Sequence, residues 1–197
     1  MKKVEHGKTF DRNAANPPAF EIFHNTVTEG YPEHWHTAIE IIMPTRGEYE
    51  VVVGKDSYNL KEGDIIMINS GVVHGMRFVS QGERIVMLVE PGCVENQEEM
   101  ETIFLRLPAI YFKKEDEEDP FYLFLRSQIL ELVREYDNEG AVMTHRICTG
   151  LKELFSEFGR KGFSDANEQN TFGAMKQQEY ICLLYTSPSP RDLSTSR

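Results

Sequence analysis

The sequence lacks any apolar run approaching the roughly 18 consecutive residues that a membrane-spanning helix needs. Its start, Met1-Lys2-Lys3, leads into polar residues rather than the apolar core of a signal peptide. Basic residues are few: 21 Lys and Arg stand against 32 Asp and Glu, a formal net charge of -11. Phosphate backbones repel this charge. We therefore expect a cytoplasmic protein with no membrane partner and no nucleic-acid surface in these residues.

Cysteine is also scarce. Cys93, Cys148 and Cys182 form no CxxC pair and show no disulfide-like spacing, so we expect buried free thiols, as in a reducing compartment. No activated nucleophile, carboxylate pair or phosphate-binding loop is evident in the sequence. We therefore predict that the protein is not an enzyme and has no catalytic residue.

What the chain does contain is a series of short β-type runs between residues 20 and 89, separated by Gly and Asn/Asp turn signals. Evenly spaced short strands favour an antiparallel sandwich or barrel. With 197 residues, the chain is long enough for one such barrel and an appendage. We assign the barrel to residues 20–112, including a short helix near 96–107, and a polar arm to residues 1–19.

Beyond an acidic loop, apolar residues recur at helical spacing. They predict helices over about 120–136 and 141–158, joined as a hairpin that spans residues 120–159. This hairpin has more apolar positions than are needed to cover one small barrel. We therefore expect Leu125 and Ile129 to belong to a stripe through which the chain forms a homodimer.

Four polar residues carry the functional signal. His34, His36 and Glu40 share parity, so on one extended strand they all face the same side and can point into a barrel. If a later strand brings His74 beside them, three imidazoles and one carboxylate converge. Such a set suits Zn, Mn, Fe or Ni better than Ca or Mg. The alternative is a polar lining that hydrogen-bonds an organic ligand or water.

These residues resemble the first motif of the cupin superfamily, His-x-His-x3-4-Glu-x6-Gly, which continues here to Gly47. The second motif, Gly-x5-Pro-x-Gly-x2-His-x3-Asn, is matched at Gly63, Gly71 and His74. Asn69 stands in place of its Pro, and Phe78 in place of its final Asn. The resemblance implies a mainly β fold: a single jelly-roll-like cupin barrel, followed here by the α-helical hairpin.

Within that superfamily, residues 20–160 resemble the sensor domains of AraC-type transcription regulators. The shared features include the segment Tyr58-Asn59-Leu60-Lys61-Glu62-Gly63-Asp64 and the helices that follow the barrel. The resemblance implies an effector-sensing and dimerisation domain that binds a small polar molecule, such as a sugar. The predicted ligand-binding residues are His34, His36, Glu40 and His74, and no cofactor is required.

Two other functions stay open. The chain could be a metal-dependent cupin enzyme such as a dioxygenase or isomerase, in which the same four residues hold a divalent transition metal. It could instead be a stand-alone cupin binding protein. The helices after the barrel favour the regulator, because small cupin enzymes need no such hairpin.

The end of the chain carries a different signal. Residues 160–180 are interpreted as a linker followed by the start of a DNA-binding domain, because 176–181 resemble the opening of its first helix in AraC-type regulators. Residues 182–192 resemble the translation of a transposon-type sequencing adapter, so we treat 181–197 as a non-native tail. Any DNA contact is then expected only through a missing C-terminal domain.

Sequencing the locus from source DNA tests this interpretation. We expect the reading frame to continue past Tyr180 for about a hundred residues, with two helix-turn-helix units and a basic surface. A stop codon shortly after Arg197, without adapter-like nucleotides, would contradict both the truncation and much of the regulator assignment.

Overall fold

The computed structural model describes residues 19–26, 30–93, 108–114, 118–138 and 142–161. The predicted arm before residue 19, the short helix near 96–107 and the predicted linker and tail beyond residue 161 lie outside these ranges. In the described chain, the strands are β1 (Phe20–Asn25), β2 (Tyr31–His34), β3 (Ile39–Arg46), β4 (Tyr49–Val53), β5 (Asp56–Leu60), β6 (Ile65–Ile68), β7 (His74–Phe78), β8 (Glu83–Val89) and β9 (Ala109–Phe112). Two helices follow, α1 (Pro120–Asp137) and α2 (Met143–Lys161).

The strands form two antiparallel sheets. One has five strands in the order β1-β8-β3-β6-β9, and the other has four in the order β2-β7-β4-β5. They make a β sandwich that is followed by two helices, so the prediction of a mainly β fold with trailing helices is confirmed. The predicted helix starts and ends differ from the observed ones by at most three residues.

Strand β3 has two faces with different partners, because side chains alternate along a strand. Ile39, Ile41 and Met43 belong to the apolar cluster that contains the buried residues of both helices. Ile42 belongs instead to a cluster built from both sheets. Glu40 has the parity of Ile42 and is also buried, so its carboxylate points between the sheets.

The helices cover the outer face of the five-stranded sheet. Asp119 caps the start of helix α1, and its side chain accepts a hydrogen bond from the Phe121 amide. The Tyr122 hydroxyl donates to the Gly63 carbonyl at 2.8 Å and so fixes the helix to the turn before β6. In the described part of the chain, neither helix is long and apolar enough to cross a membrane.

The two helices run antiparallel. Arg146 of α2 forms an ion pair with Glu135 of α1 at 3.1 Å, and Gly150, one turn further along α2, lies against Leu132, about one turn earlier on α1. A Cβ at Gly150 would be only 2.9 Å from the Leu132 Cδ2 atom. This glycine therefore sets how closely the helices approach. The predicted hairpin is present.

The predicted self-association stripe is wrong. Leu125 and Ile129 are 1% and 0% exposed, and both lie in the core shared by the helices and the sheet. The outer face of a five-stranded sheet needs an apolar cover, and the hairpin supplies it. Leu123 of α1 is an exposed apolar side chain, at 49% exposure, and lies on the side of the helix opposite Leu125 and Ile129.

Leu125→Ala should therefore lower the free energy of unfolding by about 2–5 kcal/mol, because it leaves a cavity between the helix and the sheet. Leu123→Ala is the matched control, with the same helix and the same chemical change, and should alter stability by no more than about 0.5 kcal/mol. Urea unfolding followed by circular dichroism measures both. Equal losses in the two variants would contradict the packing described.

Candidate functional site

The four residues that the sequence singled out do converge, but for a different reason than parity along one strand. His34 ends β2 in the four-stranded sheet, whereas Glu40 lies on β3 in the five-stranded sheet. Residues 35–38 cross from one sheet to the other and carry His36 with them. His74 begins β7 and is the direct cross-strand partner of His34. The predicted single extended strand over 34–40 is therefore wrong.

The side chains form one compact cluster. One ligand atom from each of His34, His36, Glu40 and His74 lies within 4.8 Å of those of the other three. His36, Glu40 and His74 are buried, whereas His34 is exposed. The cluster is therefore open on the His34 side and closed by protein on the others.

Each imidazole is held through its Nδ1 atom by a nearby backbone carbonyl. The distances are 2.9 Å from His34 to Pro32, 2.9 Å from His36 to Ala38 and 2.8 Å from His74 to Val72. A carbonyl oxygen only accepts, so each Nδ1 atom donates its proton. The tautomer and ring orientation are thereby fixed, and every Nε2 atom is left for another partner.

Two of these Nε2 atoms meet at the same carboxylate oxygen. Glu40 Oε2 lies 3.1 Å from Nε2 of His36 and 2.9 Å from Nε2 of His74. An ionised carboxylate also only accepts, so both ring nitrogens of His36 and of His74 face acceptors. A neutral imidazole, however, has only one N–H to donate. Either the rings take an additional proton or a cation lies among the Nε2 and carboxylate atoms.

The turn before His74 positions this histidine without the proline of the cupin motif. The Asn69 side chain accepts a hydrogen bond from the Ser70 amide at 2.7 Å, and the backbone carbonyl of Asn69 accepts one from the Val72 amide at 3.3 Å. Gly71 has a φ of 73°, which glycine adopts at little cost. Its amide donates to the His36 carbonyl at 2.8 Å, which joins the turn to the crossover at 35–38.

Burial and hydrogen bonding oppose each other at the charged groups. Burial raises the pKa of Glu40, but the hydrogen bonds from His36 and His74 outweigh it, so the pKa lies well below its usual range. Burial lowers the pKa of His74, but its hydrogen bond to Glu40 and the charge of that carboxylate leave it raised. Burial dominates at His34, whose pKa is lowered. The inner part of the site thus favours a carboxylate facing a protonated imidazole or another cation.

A second polar group, which was not predicted, lies between the sheets. Arg84 is fully buried on β8, and its guanidinium carbon lies 4.8 Å from the ring centroid of Tyr49 and 5.7 Å from that of Tyr31. Tyr31 in turn accepts a hydrogen bond from the buried Asn25 side chain at 3.1 Å. Parity along β8 was the available signal, since Arg84 alternates with the outward-facing Ile85 and Met87.

Comparisons with known proteins identify the domain. Residues 25–90 match the family model described as "Cupin domain", and this range contains all four site residues. The structure of the AraC-like transcriptional activator CuxR aligns over 79% of this chain and 55% of its own, at 8% identity and a TM-score of 0.50. That of apo ToxT K231A from Vibrio cholerae strain SCE256 aligns over 87% and 66%, at 11% identity and a TM-score of 0.51.

A conserved protein of unknown function from Streptococcus pyogenes aligns over 46% of this chain and 94% of its own, at 17% identity and a TM-score of 0.36. No curated protein sequence matches the chain. The identities to CuxR and ToxT are low enough that these two structures show the fold alone, which is a cupin-type sandwich followed by two helices. The match to the cupin domain covers residues 25–90. The chain spans 55% of the CuxR chain and 66% of the ToxT chain.

The four residues fit a transition-metal ion by their chemistry. Three imidazole nitrogens and a carboxylate are donors that such ions accept, and a backbone carbonyl orients each ring, as is usual for metal-bound histidine. A nitrogen or oxygen ligand lies about 2.1 Å from such an ion. When the angle between two such bonds at the ion is 90°, the two donor atoms are about 3 Å apart. The separations of 2.9 and 3.1 Å around Glu40 agree with that spacing.

We expect Glu40 to contribute to the way in which the free energy of unfolding of the metal-stripped protein changes with pH. The lowered pKa of Glu40 contributes stability that is fully present above its unfolded value of 4.5 and is lost as the pH falls through the folded value. The raised pKa of His74 contributes stability that is fully present below 6.5 and is lost as the pH rises through the folded value. Both contributions are complete between these two unfolded values.

Urea unfolding in EDTA at about pH 5.5 and pH 8.5 measures this effect when wild type is compared with Glu40→Gln. The wild type should lose stability relative to the variant at the higher pH. His34 has the opposite dependence, but its main cause is burial, which both proteins share. Identical pH profiles in the two proteins would show that the Glu40–His74 contact contributes nothing.

Proposed function

We propose that this chain is the effector-sensing domain of an AraC-type transcription regulator and that it binds a small polar molecule at His34, His36, Glu40 and His74. One observation carries the proposal. Glu40 lies inside the sandwich on β3, while its neighbours Ile39 and Ile41 pack on the other face in the cluster shared with the helices. A ligand that moves β3 changes the surface against which the hairpin packs.

The chemistry of the site favours an oxygen-rich ligand. The Nε2 atoms and the Glu40 carboxylate supply both donors and acceptors, and the exposed edge of His34 gives the ligand a way in. Hydroxyl groups satisfy donors and acceptors together, so a sugar or sugar acid suits the site. Each contact would replace one that the side chains already make to one another, so ligand binding would redistribute the hydrogen bonds around Glu40.

The comparisons support the regulator proposal through the extent of the fold. Residues 20–112 make up 93 of the 197 residues, about 47% of the chain, whereas the structure of the AraC-like activator CuxR aligns over 79% of the chain and that of ToxT over 87%. The likeness therefore extends beyond the barrel. In this proposal the effector alters a homodimer whose contact surface does not include the buried Leu125 and Ile129. DNA is bound by a further domain that belongs to the same regulator.

A metal-dependent cupin is the second candidate, and the fixed Nδ1 protons of the three histidines favour it. His34, His36, Glu40 and His74 would hold the ion, which would supply Lewis-acid chemistry to a bound oxygen-containing molecule. The turn at 69–72 and the crossover at 35–38 would keep the rings oriented before the ion arrives. This candidate differs from the first in needing the metal for any response to a ligand.

A thermal-shift screen of sugars and sugar acids separates the two candidates. At a ligand concentration about 100-fold above Kd, the unfolding temperature of the wild type should rise by about 5–10 °C. His36→Ala and His74→Ala should lose the shift. His145→Ala, an exposed histidine of α2, is the control and should keep it.

The screen is run once after EDTA treatment and once after loading with Mn, Fe, Ni or Zn. A ligand shift in the EDTA-treated protein supports the sensor, whereas a shift that requires the metal, together with turnover of the compound, supports the enzyme. A ligand that binds His36→Ala and His74→Ala with unchanged affinity would place the site elsewhere.

A further inference from the structure

Two cysteines that lie far apart in the sequence are in contact in the fold. Cys93 ends the short helical turn Pro91–Cys93 directly after β8, and Cys148 lies in the first half of α2. Their Sγ atoms are 3.4 Å apart although 55 residues separate them in the chain. Both side chains are partly exposed. The expectation that these thiols are buried is therefore wrong for this pair.

The contact joins two parts of the molecule that matter to the site. Strand β8 pairs with β3 so that Leu88 lies opposite Glu40 and Val89 opposite Ile39. Three residues separate the end of this strand from Cys93, which packs against the core that the hairpin covers. A covalent bond to Cys148 would tie α2 to the end of the strand that neighbours Glu40.

We propose that Cys93 and Cys148 form a reversible disulfide that locks the helical hairpin onto the barrel. A disulfide has an S–S distance of about 2.05 Å, so the two sulfurs need to approach by about 1.4 Å. This proposal depends on the thiol pair alone and not on the nature of the ligand in the barrel.

A small-molecule disulfide such as oxidised glutathione is the oxidant. The thiolate of one cysteine attacks a sulfur of the oxidant, which breaks its S–S bond, forms a mixed disulfide and releases one glutathione thiolate. The second cysteine loses its proton and attacks the protein sulfur of the mixed disulfide, which releases the second glutathione. The protein loses two electrons and two protons, and the oxidant is reduced to two thiols.

The surroundings disfavour Cys93 as the first attacking thiol. Burial and the neighbouring Cys148 thiol raise the pKa of Cys93 to about 12, and Lys152 opposes that rise. Little Cys93 thiolate is therefore present near neutral pH, and the thiolate is the attacking species.

The full chain carrying Cys182→Ser provides the test, because this background has no third thiol to exchange. It is equilibrated in glutathione buffers of increasing oxidised fraction, then alkylated and mapped by mass spectrometry. We expect a peptide that links Cys93 to Cys148, its loss in Cys93→Ser and in Cys148→Ser, and its return to two thiols under reduced glutathione.

The lock itself has two measurements. The oxidised protein should unfold at a temperature about 5–10 °C higher than the reduced protein, because the bond closes a long loop in the unfolded chain. Amide exchange in α2 should also slow. The two serine variants should show neither change in oxidised buffer.

Two results would overturn the proposal. One is a linked peptide that forms in urea but not in the native protein, which would show that the thiols do not meet in the fold. The other is a native link with unchanged unfolding temperature and unchanged exchange in α2, which would show a disulfide without a lock. Failure of every sugar in the thermal-shift screen would leave these measurements unaffected.

Discussion

A buried carboxylate shared by two imidazoles is the constraint on which the rest of the site depends. Isolated burial of the Glu40 charge would be costly, and the two Nε2 atoms at 2.9 and 3.1 Å remove much of that cost. Those atoms are available because backbone carbonyls hold the opposite side of each ring. The crossover at 35–38 and the turn at 69–72 must therefore keep their shapes for the charge to remain buried.

The same strand that carries this charge also supports the helices. Along β3, the inward Glu40 alternates with Ile39 and Ile41, which face the hairpin. A strand has little freedom to move one face without the other, since successive side chains share one backbone. The fold therefore places the polar cluster and the helical surface on opposite faces of one strand, which is the physical basis for proposing a sensor.

Much of this architecture could be predicted from local sequence. Alternating apolar residues in Tyr49–Val53 and helical spacing in α1 and α2 act within one element, so the strands and helices were found with small boundary errors. The convergence of His34, His36, Glu40 and His74 was also predicted, because a spaced motif marks these residues. The reason given for their convergence was wrong, since parity along a single strand does not reveal that the chain changes sheets after His34.

Features that depend on contacts between distant segments were the ones missed. Leu125 and Ile129 have the spacing of an exposed stripe, but spacing does not say whether a sheet or a second copy of the chain covers it. Cys93 and Cys148 show no pairing signal across 55 residues, because the contact arises only when α2 packs beside the end of β8.

The polar cluster at Glu40 and the thiol contact at Cys93 are linked through the paired strands β3 and β8. The antiparallel register places Glu40 against Leu88 in the interior and Ile39 against Val89 on the helical side, just before the turn that ends in Cys93. A displacement at Glu40 and a bond at Cys93 would therefore act on the same pair of strands from opposite faces. Two inputs that bias one packing arrangement are coupled by thermodynamic necessity, in proportion to how differently each favours its alternatives. In this fold, the state of the thiols and the affinity of the barrel for its ligand would then each depend on the other.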